Sequence, residues 1–246
     1  MKMLDLFSGI GGFSLAAKWA GIDTVAFCEK ETYCQKILRN NFPSIPVFPD
    51  ICELKGDDIN GTIDIITGGF PCQPFSIAGR KKGTEDDRDL WPQMFRIIQE
   101  FKPTWVVGEN VANFVNMAFR RTKTDLESEG YEVQPLIIPA CGVGAPHRRD
   151  RAFIIAHKKS SSIPHPQKIR RYRSKIQNNR RYKPKNKQSR DQGRSQVERH
   201  IWQSEPCMDR VVNGVPNRLD RIKGLGNAIV PQVAYQILKG IKEVNK

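Results

Sequence analysis

Three features that mark common classes of protein are missing from this sequence of 246 residues. Its six cysteines form neither a C-x-x-C pair nor any other metal-ligand spacing. It has no run of eighteen apolar residues, which a membrane-spanning helix requires. No apolar leader precedes the cysteines. We therefore expect no metal site, no membrane span, and reduced thiols in a cytoplasmic setting.

Acidic residues are scarce in one segment, which carries most of the positive charge. The formal net charge of the chain is +14. Residues 158–205 hold 15 Lys and Arg against 3 Asp and Glu, or +12, and the other 198 residues carry only +2. This segment has eight hydrophobic residues, too few for a core of its own. We expect it to bind nucleic acid and to become fully ordered on that ligand, although a solvated charged tail is the alternative.

Apolar runs alternate with helical patterns along the rest of the chain. Strands are predicted at 3–7, 23–28, 63–67 and 104–107, and a helix is predicted after each of them. This alternation predicts an α/β fold with a mainly parallel sheet and helices on both faces. Two further strands, at 131–138 and 151–157, are joined by a loop alone, which predicts an antiparallel pair at the sheet edge. A helical pattern at 227–244 should pack back on the sheet, with Pro231 in its first turn.

The ends of the first two strands carry residues suited to a nucleoside-containing cofactor. Residues 5–12 offer glycines that let the backbone approach a ligand closely. Glu29 ends the next strand, where a carboxylate can accept hydrogen bonds from both hydroxyls of a ribose. Asp50 and Ile51 offer an acceptor for an adenine edge and an apolar wall. A glycine turn also occurs where a chain merely turns tightly, and Asp50 and Ile51 are equally compatible with ordinary loop chemistry.

Cys72 lies between two prolines in the loop at 68–76, Gly-Gly-Phe-Pro-Cys-Gln-Pro-Phe-Ser. The prolines stiffen a loop that follows a strand. An attacking cysteine must be presented as a thiolate in a partly exposed, electropositive site. Most cysteines are inert core residues, but this setting favours Cys72 as a nucleophile.

Several motifs, taken in their order along the chain, resemble those of the DNA cytosine-5 methyltransferase family of bacteria and phages. They are DLFSGIGGF at 5–13 (cofactor loop), FPCQP at 70–74 (nucleophile loop), ENV at 109–111 (acidic motif), APHRRDR at 145–151 (arginine motif) and GNAIVP at 226–231 (start of the closing helix). The resemblance covers nearly the whole chain. It implies a class I S-adenosylmethionine-dependent methyltransferase fold, which is Rossmann-like.

The resemblance implies that a methyl group moves from S-adenosylmethionine to C5 of a cytosine flipped out of duplex DNA. The Cys72 thiolate would add to C6, while Glu109 binds the N3–N4 edge and supplies a proton at N3. Arg149 and Arg151 would position the base and the Cys72 loop. Without the motifs, Glu109 would be an ordinary strand-end carboxylate and the two arginines surface charges.

The resemblance also assigns residues that bind the cofactor and the substrate. The cofactor pocket would be formed by Phe7, Ser8, Gly9, Gly12, Glu29, Asp50, Ile51, Leu90 and Asn227. Phe7 would lie against the adenine, whereas Leu90 and Ile51 are equally compatible with the core. Gln73 and Ser76 would contact the substrate, Ser76 through a phosphate or in loop closure, although an ordinary loop serine is the alternative.

Three regions are expected from the resemblance. Residues 1–157 would form the catalytic and cofactor-binding domain, 158–217 a small basic target-recognition segment, and 218–246 a C-terminal helix that packs back on the catalytic domain. The target-recognition interval is shorter and more highly charged than is usual in the family. We therefore expect it to bind phosphates strongly and to read few bases.

The expected partner is double-stranded DNA, bound by a monomer that belongs to a restriction-modification system if a cognate restriction endonuclease accompanies it. Three alternatives stay open. The first is a tRNA cytosine-5 methyltransferase, since one branch of the family acts on RNA. The second is a nicotinamide-dependent oxidoreductase, although a clean G-x-G-x-x-G is missing. The third is a non-catalytic DNA-binding descendant, although every catalytic residue of the family is present.

Overall fold

The structure is a computed structural model that describes residues 1–71, 89–158 and 224–245. Its strands are β1 (Lys2–Leu6), β2 (Asp23–Cys28), β3 (Val47–Phe48), β4 (Ile65–Gly68), β5 (Trp105–Val111), β6 (Tyr131–Ile138) and β7 (Arg151–Lys158). Its helices are α1 (Gly12–Ala20), α2 (Thr32–Asn41), α3 (Trp91–Phe101), α4 (Phe114–Met117), α5 (Phe119–Ser128) and α6 (Pro231–Val244). Short 3-10 turns occur at Gly56–Asp58 and Ala140–Val143.

The seven strands form one sheet in the order β3-β2-β1-β4-β5-β7-β6. The first five strands in this order pair in parallel, and β7 pairs antiparallel with both β5 and β6. The predicted parallel sheet with an antiparallel edge pair is therefore confirmed. The chain runs outward from β1 to β3 and then returns to β4, so the connections diverge between β1 and β4. Ligands of open α/β sheets bind beyond the strand ends at such a point.

Helices cover both faces of the sheet, which explains why most residues of its central strands β1 and β4 are apolar and buried. Leu4, Leu6 and Ile66 contribute to one core cluster with the buried side of α3, and Met3 and Ile65 contribute to the other with α1 and α6. On that second face α6 packs against α1. Its Lys242 ammonium donates to the carbonyls at the end of α1, those of Ala20 at 2.9 Å and Gly21 at 2.7 Å.

Two predicted boundaries are wrong in an informative way. The strand predicted at 104–107 continues as β5 to Val111, because Val111 pairs with Arg151 of β7 and the ladder extends along the whole edge. Glu109 therefore lies on a strand and not in a loop. The helix predicted at 227–244 begins only at Pro231, as α6, and a separate helical turn at 224–227 precedes it. Proline is suited to the first helical position because its missing N–H has no partner there.

Several predictions lie outside the described residues. They concern Cys72, Gln73 and Ser76, and the basic segment beyond Lys158. In the ranges that the structure covers, no helix has the length and apolar character needed to cross a bilayer. Within the same ranges, no cluster of His, Cys, Asp and Glu side chains is arranged to hold a metal ion.

Candidate active site

A cavity of about 430 Å³ opens where β1, β2, β4 and β5 end. Its walls come from the turn after β1, the residues after β2 and β4, the end of β5, and residues 224–229, which we call the closing segment. Nine of the predicted site residues line it: Phe7, Ser8, Gly9, Gly12, Glu29, Leu90, Glu109, Arg151 and Asn227. The fold thus gathers into one cavity residues that are up to 220 positions apart.

The turn after β1 is shaped by left-handed backbone and by close packing. Gly9 has a φ angle of 54°, a left-handed value that favours glycine and explains why the motif contains it there. Phe7 has a similar φ angle of 50° although it carries a side chain. The Ser8 hydroxyl donates to the carbonyl of Asp5 at 2.6 Å and so holds the turn against β1. Gly12 begins α1, and a Cβ built there would overlap Cγ2 of Ile229 in the closing segment. Glycine at position 12 therefore lets the closing segment lie directly on the turn.

The buried carboxyl group of Asp5 links the start of the turn after β1 to neighbouring elements. Asp5 is fully buried, and its two oxygens accept hydrogen bonds from the hydroxyls of Ser14 (2.8 Å) and Thr67 (2.9 Å). These bonds join β1 to α1 and to β4, the strand that leads to the Cys72 loop. Burial raises the pKa of Asp5 to about 7, although both hydroxyls act against this rise.

Glu29 is held at the end of β2 by backbone groups. One of its oxygens accepts the Gly9 N–H at 2.6 Å, and the other accepts the Glu31 N–H at 2.7 Å. Burial raises the pKa of Glu29, and these two hydrogen bonds oppose the rise. Each carboxylate oxygen has a second lone pair, so Glu29 can still accept two hydroxyl groups from a ligand in the cavity.

At the β5 side of the cavity, Glu109 pairs with Arg151. The Nε of Arg151 lies 2.9 Å from Oε1 of Glu109. The antiparallel register places the first residue of β7 beside the end of β5, which brings the two side chains together. Burial raises the pKa of the Glu109 carboxyl, and the charges of Arg151 and Arg149 oppose the rise.

The chain that leads to Cys72 is tied to the same strand end. The side-chain amide of Asn110 donates to the carbonyl of Phe70 at 3.0 Å. The Phe70 ring packs against Trp91, with ring centroids 5.0 Å apart, and against Phe114 at 5.4 Å. Phe70 and Pro71 both line the cavity. The last described residues before Cys72 therefore line the same cavity as Glu109.

Of the predicted site residues that the structure describes, three are not among those that line the cavity. Ile51 is buried in the core, as its alternative interpretation allowed. The Asp50 carboxylate accepts the Cys52 N–H at 2.9 Å and pairs with Lys30 at 3.3 Å. Arg149 directs its guanidinium to the backbone of the closing segment. The proposed roles of these residues stay predictions.

The sequence did not point to some of the residues that line the cavity. Ile10, Asn110 and Ile229 belong to recognised motifs, so their position beside predicted site residues was the available signal. Tyr33 lies in the first turn of α2 and follows a strand end, a pattern too common to single it out.

Comparison with known proteins decides the family. Residues 1–215 match the family described as C-5 cytosine-specific DNA methylase. The chain belongs to this family. One relative of this chain is the Type II methyltransferase M.HhaI of Haemophilus parahaemolyticus, which is 34% identical over 168 residues. The aligned part covers 66% of this chain and 51% of M.HhaI. The Type II methyltransferase M.PspPI of Psychrobacter sp. is 38% identical over 161 residues, which cover 63% of this chain and 39% of that protein.

A solved structure supports the fold of this family member. The crystal structure of a variant of DNMT2 from Spodoptera frugiperda superposes with a TM-score of 0.57 at 27% identity, and covers 67% of this chain and 52% of that one. The sheet order and this likeness confirm the class I S-adenosylmethionine-dependent methyltransferase fold. The chain spans about half, or less, of the length of the relatives it matches.

Proposed function

We propose that this family member is a DNA cytosine-5 methyltransferase, which transfers a methyl group from S-adenosylmethionine to C5 of a flipped cytosine in duplex DNA. One observation carries the proposal. A single cavity contains the Glu29 carboxylate at one strand end, the Glu109–Arg151 pair at another, and Phe70 and Pro71 directly before Cys72. Such a cavity has room for a nucleoside-containing methyl donor and a cytosine beside the residues that lead to Cys72.

The residues around the β1 turn fit S-adenosylmethionine. Glu29 offers acceptors for two ribose hydroxyls, and its two backbone hydrogen bonds fix its orientation before a ligand arrives. Phe7 and Leu90 offer apolar surface to an adenine. The bare backbone at Gly9 permits close approach to the rest of the ligand. When bound, S-adenosylmethionine supplies an electrophilic methyl group.

The residues at the β5 end account for activation of the cytosine. The Cys72 thiolate forms a bond to C6, and this addition pushes an electron pair through the ring to N3. The Glu109 carboxyl group donates a proton to N3 and so neutralises the charge that develops there. C5 then becomes nucleophilic. Arg151 holds Glu109 in place and stabilises its carboxylate after the proton has left. C5 takes the methyl group, and loss of the C5 proton to solvent and of the Cys72 thiolate then restores the aromatic ring. N3 returns its proton to the Glu109 carboxylate, which regenerates the acid.

The remaining assignments depend on this activity. Double-stranded DNA is the proposed partner, because the two relatives are named Type II methyltransferases. Activity as a monomer, a cognate restriction endonuclease, a cytoplasmic location and the division at 157 and 217 stay predictions. Gln73 and Ser76 stay predicted substrate contacts.

Bisulfite sequencing of plasmid DNA from cells that express the chain tests the function directly. Protected cytosines in a recurring sequence context are the expected result, and they also reveal the target. Methyl incorporation into tRNA but not into duplex DNA would favour the RNA alternative. Binding of NAD with no binding of S-adenosylmethionine would favour the oxidoreductase.

The first prediction concerns Glu29. Glu29→Ala removes the acceptor for the ribose hydroxyls, so affinity for S-adenosylmethionine should fall by about 10-fold to 100-fold. Isothermal titration measures the change. Glu53→Ala removes an exposed carboxylate and is the matched control, with unchanged affinity expected. Unchanged affinity in Glu29→Ala would show that the cofactor pocket is assigned wrongly.

The second prediction concerns the +12 charge at 158–205. If the segment contacts six phosphates, log affinity for DNA against log salt should have a slope of about −5, through counterion release. Changing Lys183, Lys185 and Lys187 to Gln should reduce that magnitude by about 3 if each contacts a phosphate. Fluorescence anisotropy at several salt concentrations measures both slopes. The control changes Lys18, Lys36 and Lys239, exposed elsewhere, to Gln. Equal slopes for both triple variants would show that the phosphate contacts lie outside this segment.

A further inference from the structure

Arg149 contacts the closing segment. One guanidinium nitrogen, Nη2, donates to the carbonyl of Gly226 at 2.7 Å and to that of Ala228 at 2.8 Å. These two carbonyls flank Asn227, a predicted cofactor residue that lines the cavity. Arg149 itself is not among the lining residues. Its charge therefore acts on backbone groups that form the wall of the cavity.

The loop that carries Arg149 gives its side chain hydrogen-bond partners different from those of Arg148 and Asp150. Arg149 has a φ of 35°, a left-handed conformation that is rare for a residue with a side chain. The Ala140 N–H donates to the carbonyl of Arg148 at 2.7 Å and fixes the loop. The Arg148 side chain pairs with Asp150 at 2.9 Å and is largely exposed. Arg149 alone of these three is directed to the closing segment.

The contacts of the closing segment show what Arg149 holds in place. A Cβ built at Gly224 would lie 3.6 Å from Ile10 and 3.7 Å from Tyr33, which line the cavity on the other side of the turn. Ile229 lies directly on Gly12. The segment thus crosses the β1 turn, with one contact at each end and Arg149 between them.

Arg149 and Arg151 have different partners, the closing segment for Arg149 and the Glu109 carboxylate for Arg151. Arg151 pairs with the Glu109 carboxylate, at the side of the cavity where we place the cytosine. We infer that Arg149 is a positioning residue for S-adenosylmethionine, which holds the closing segment over the β1 turn and does not act on the cytosine. This inference rests on the proposed function. It replaces the role in placing the base and the Cys72 loop that the motif had suggested for Arg149.

The inference predicts a defect in cofactor binding and not in chemistry. Arg149→Lys keeps the charge, but the lysine side chain is one atom shorter, so its ammonium does not reach the position from which Nη2 serves both carbonyls. The KM and Kd for S-adenosylmethionine should rise by about 10-fold, while the turnover rate at saturating S-adenosylmethionine should stay within about threefold. Steady-state methylation of duplex DNA and isothermal titration measure these values. Arg148→Lys, in the same loop and largely exposed, should leave both unchanged.

Hydrogen exchange gives a readout that needs no activity. In Arg149→Lys the amides of residues 225–229 should exchange faster than in the wild-type chain, while those of β5 and β7 stay equally protected. Unchanged exchange at 225–229 would overturn the inference, even if the wild-type chain methylated no DNA. A turnover rate lowered by about 100-fold or more, with unchanged affinity for S-adenosylmethionine, would also overturn it, because that pattern indicates action on the cytosine.

Discussion

Cys72→Ser should form no covalent complex with duplex DNA that contains 5-fluorocytosine, whereas the wild-type chain should form one that survives denaturation. The fluorine at C5 cannot leave as the proton does, so elimination stops after methyl transfer and the thiol stays attached to C6. The wild-type complex should require S-adenosylmethionine. Denaturing gel electrophoresis with labelled DNA measures it. Methyl transfer by Cys72→Ser to ordinary DNA should fall by about 10⁴-fold or more, as expected when a nucleophile is removed.

The structure strengthens the case for Cys72 by what it shows of the other thiols. Cys28 and Cys34 are buried, and burial raises the pKa of Cys28 to about 12, so a thiolate there is strongly disfavoured. Burial and the nearby Asp50 also raise the pKa of Cys52. Cys141 is exposed and is not among the residues that line the cavity. Cys28 and Cys52 are therefore disfavoured as nucleophiles by their environment and Cys141 by its position, while Cys34, which lines the cavity, is buried on α2.

Cys141→Ser is the matched control, because it removes an exposed thiol by the same change. It should trap 5-fluorocytosine DNA as the wild-type chain does. A Cys72→Ser protein that still methylates DNA at an appreciable rate would overturn the covalent mechanism. Trapping that is lost in Cys141→Ser but kept in Cys72→Ser would show that Cys141, and not Cys72, is the nucleophile.

The sequence predicts the sheet and the turn well, because both depend on local patterns. Buried parallel strands appear as short apolar runs, and the β1 turn is marked by glycines, of which Gly9 has left-handed backbone. Glu29 could be placed because it directly follows a strand. Neither prediction requires knowledge of which residues meet across the fold.

The features that the sequence did not predict arise where distant parts of the chain meet. β5 continues to Val111 because β7, which begins 40 residues later, supplies its pairing partners. The direction of the Arg149 side chain depends on carbonyls 77 and 79 positions away. Ile51 joins the core because α3 packs beside it, and the Arg96 guanidinium donates to its carbonyl at 2.7 Å. No local pattern contains this information.

The environment of Glu109 leads to the last prediction. Its carboxyl group is largely withdrawn from solvent, and this desolvation raises its pKa, while Arg151 acts in the opposite direction. A raised pKa means that a larger fraction of Glu109 carries a proton near neutral pH than an ordinary glutamate would. A group that must donate a proton to N3 of cytosine benefits from this environment.

Glu109→Gln keeps the size and hydrogen-bonding capacity of the side chain but removes its transferable proton. The rate of methyl transfer should fall by about 10²-fold to 10⁴-fold, the usual contribution of a general acid. Trapping of 5-fluorocytosine DNA should slow to a similar extent, while affinity for DNA should change little. Rapid-quench methylation and fluorescence anisotropy measure the two effects. Glu127→Gln, at an exposed position on α5, makes the same substitution outside the cavity and should have no effect.

The pH dependence distinguishes an acid from a residue that only orients the base. If the protonated form of Glu109 is active, the rate should fall as pH rises through its pKa, and Glu109→Gln should lack that decline. Arg151→Gln removes the charge that opposes protonation, so the decline should move to higher pH while the maximal rate falls with the loss of the ion pair. A decline that persists unchanged in Glu109→Gln would assign the titration to another group, and Glu109 would then act as a hydrogen-bonding partner alone.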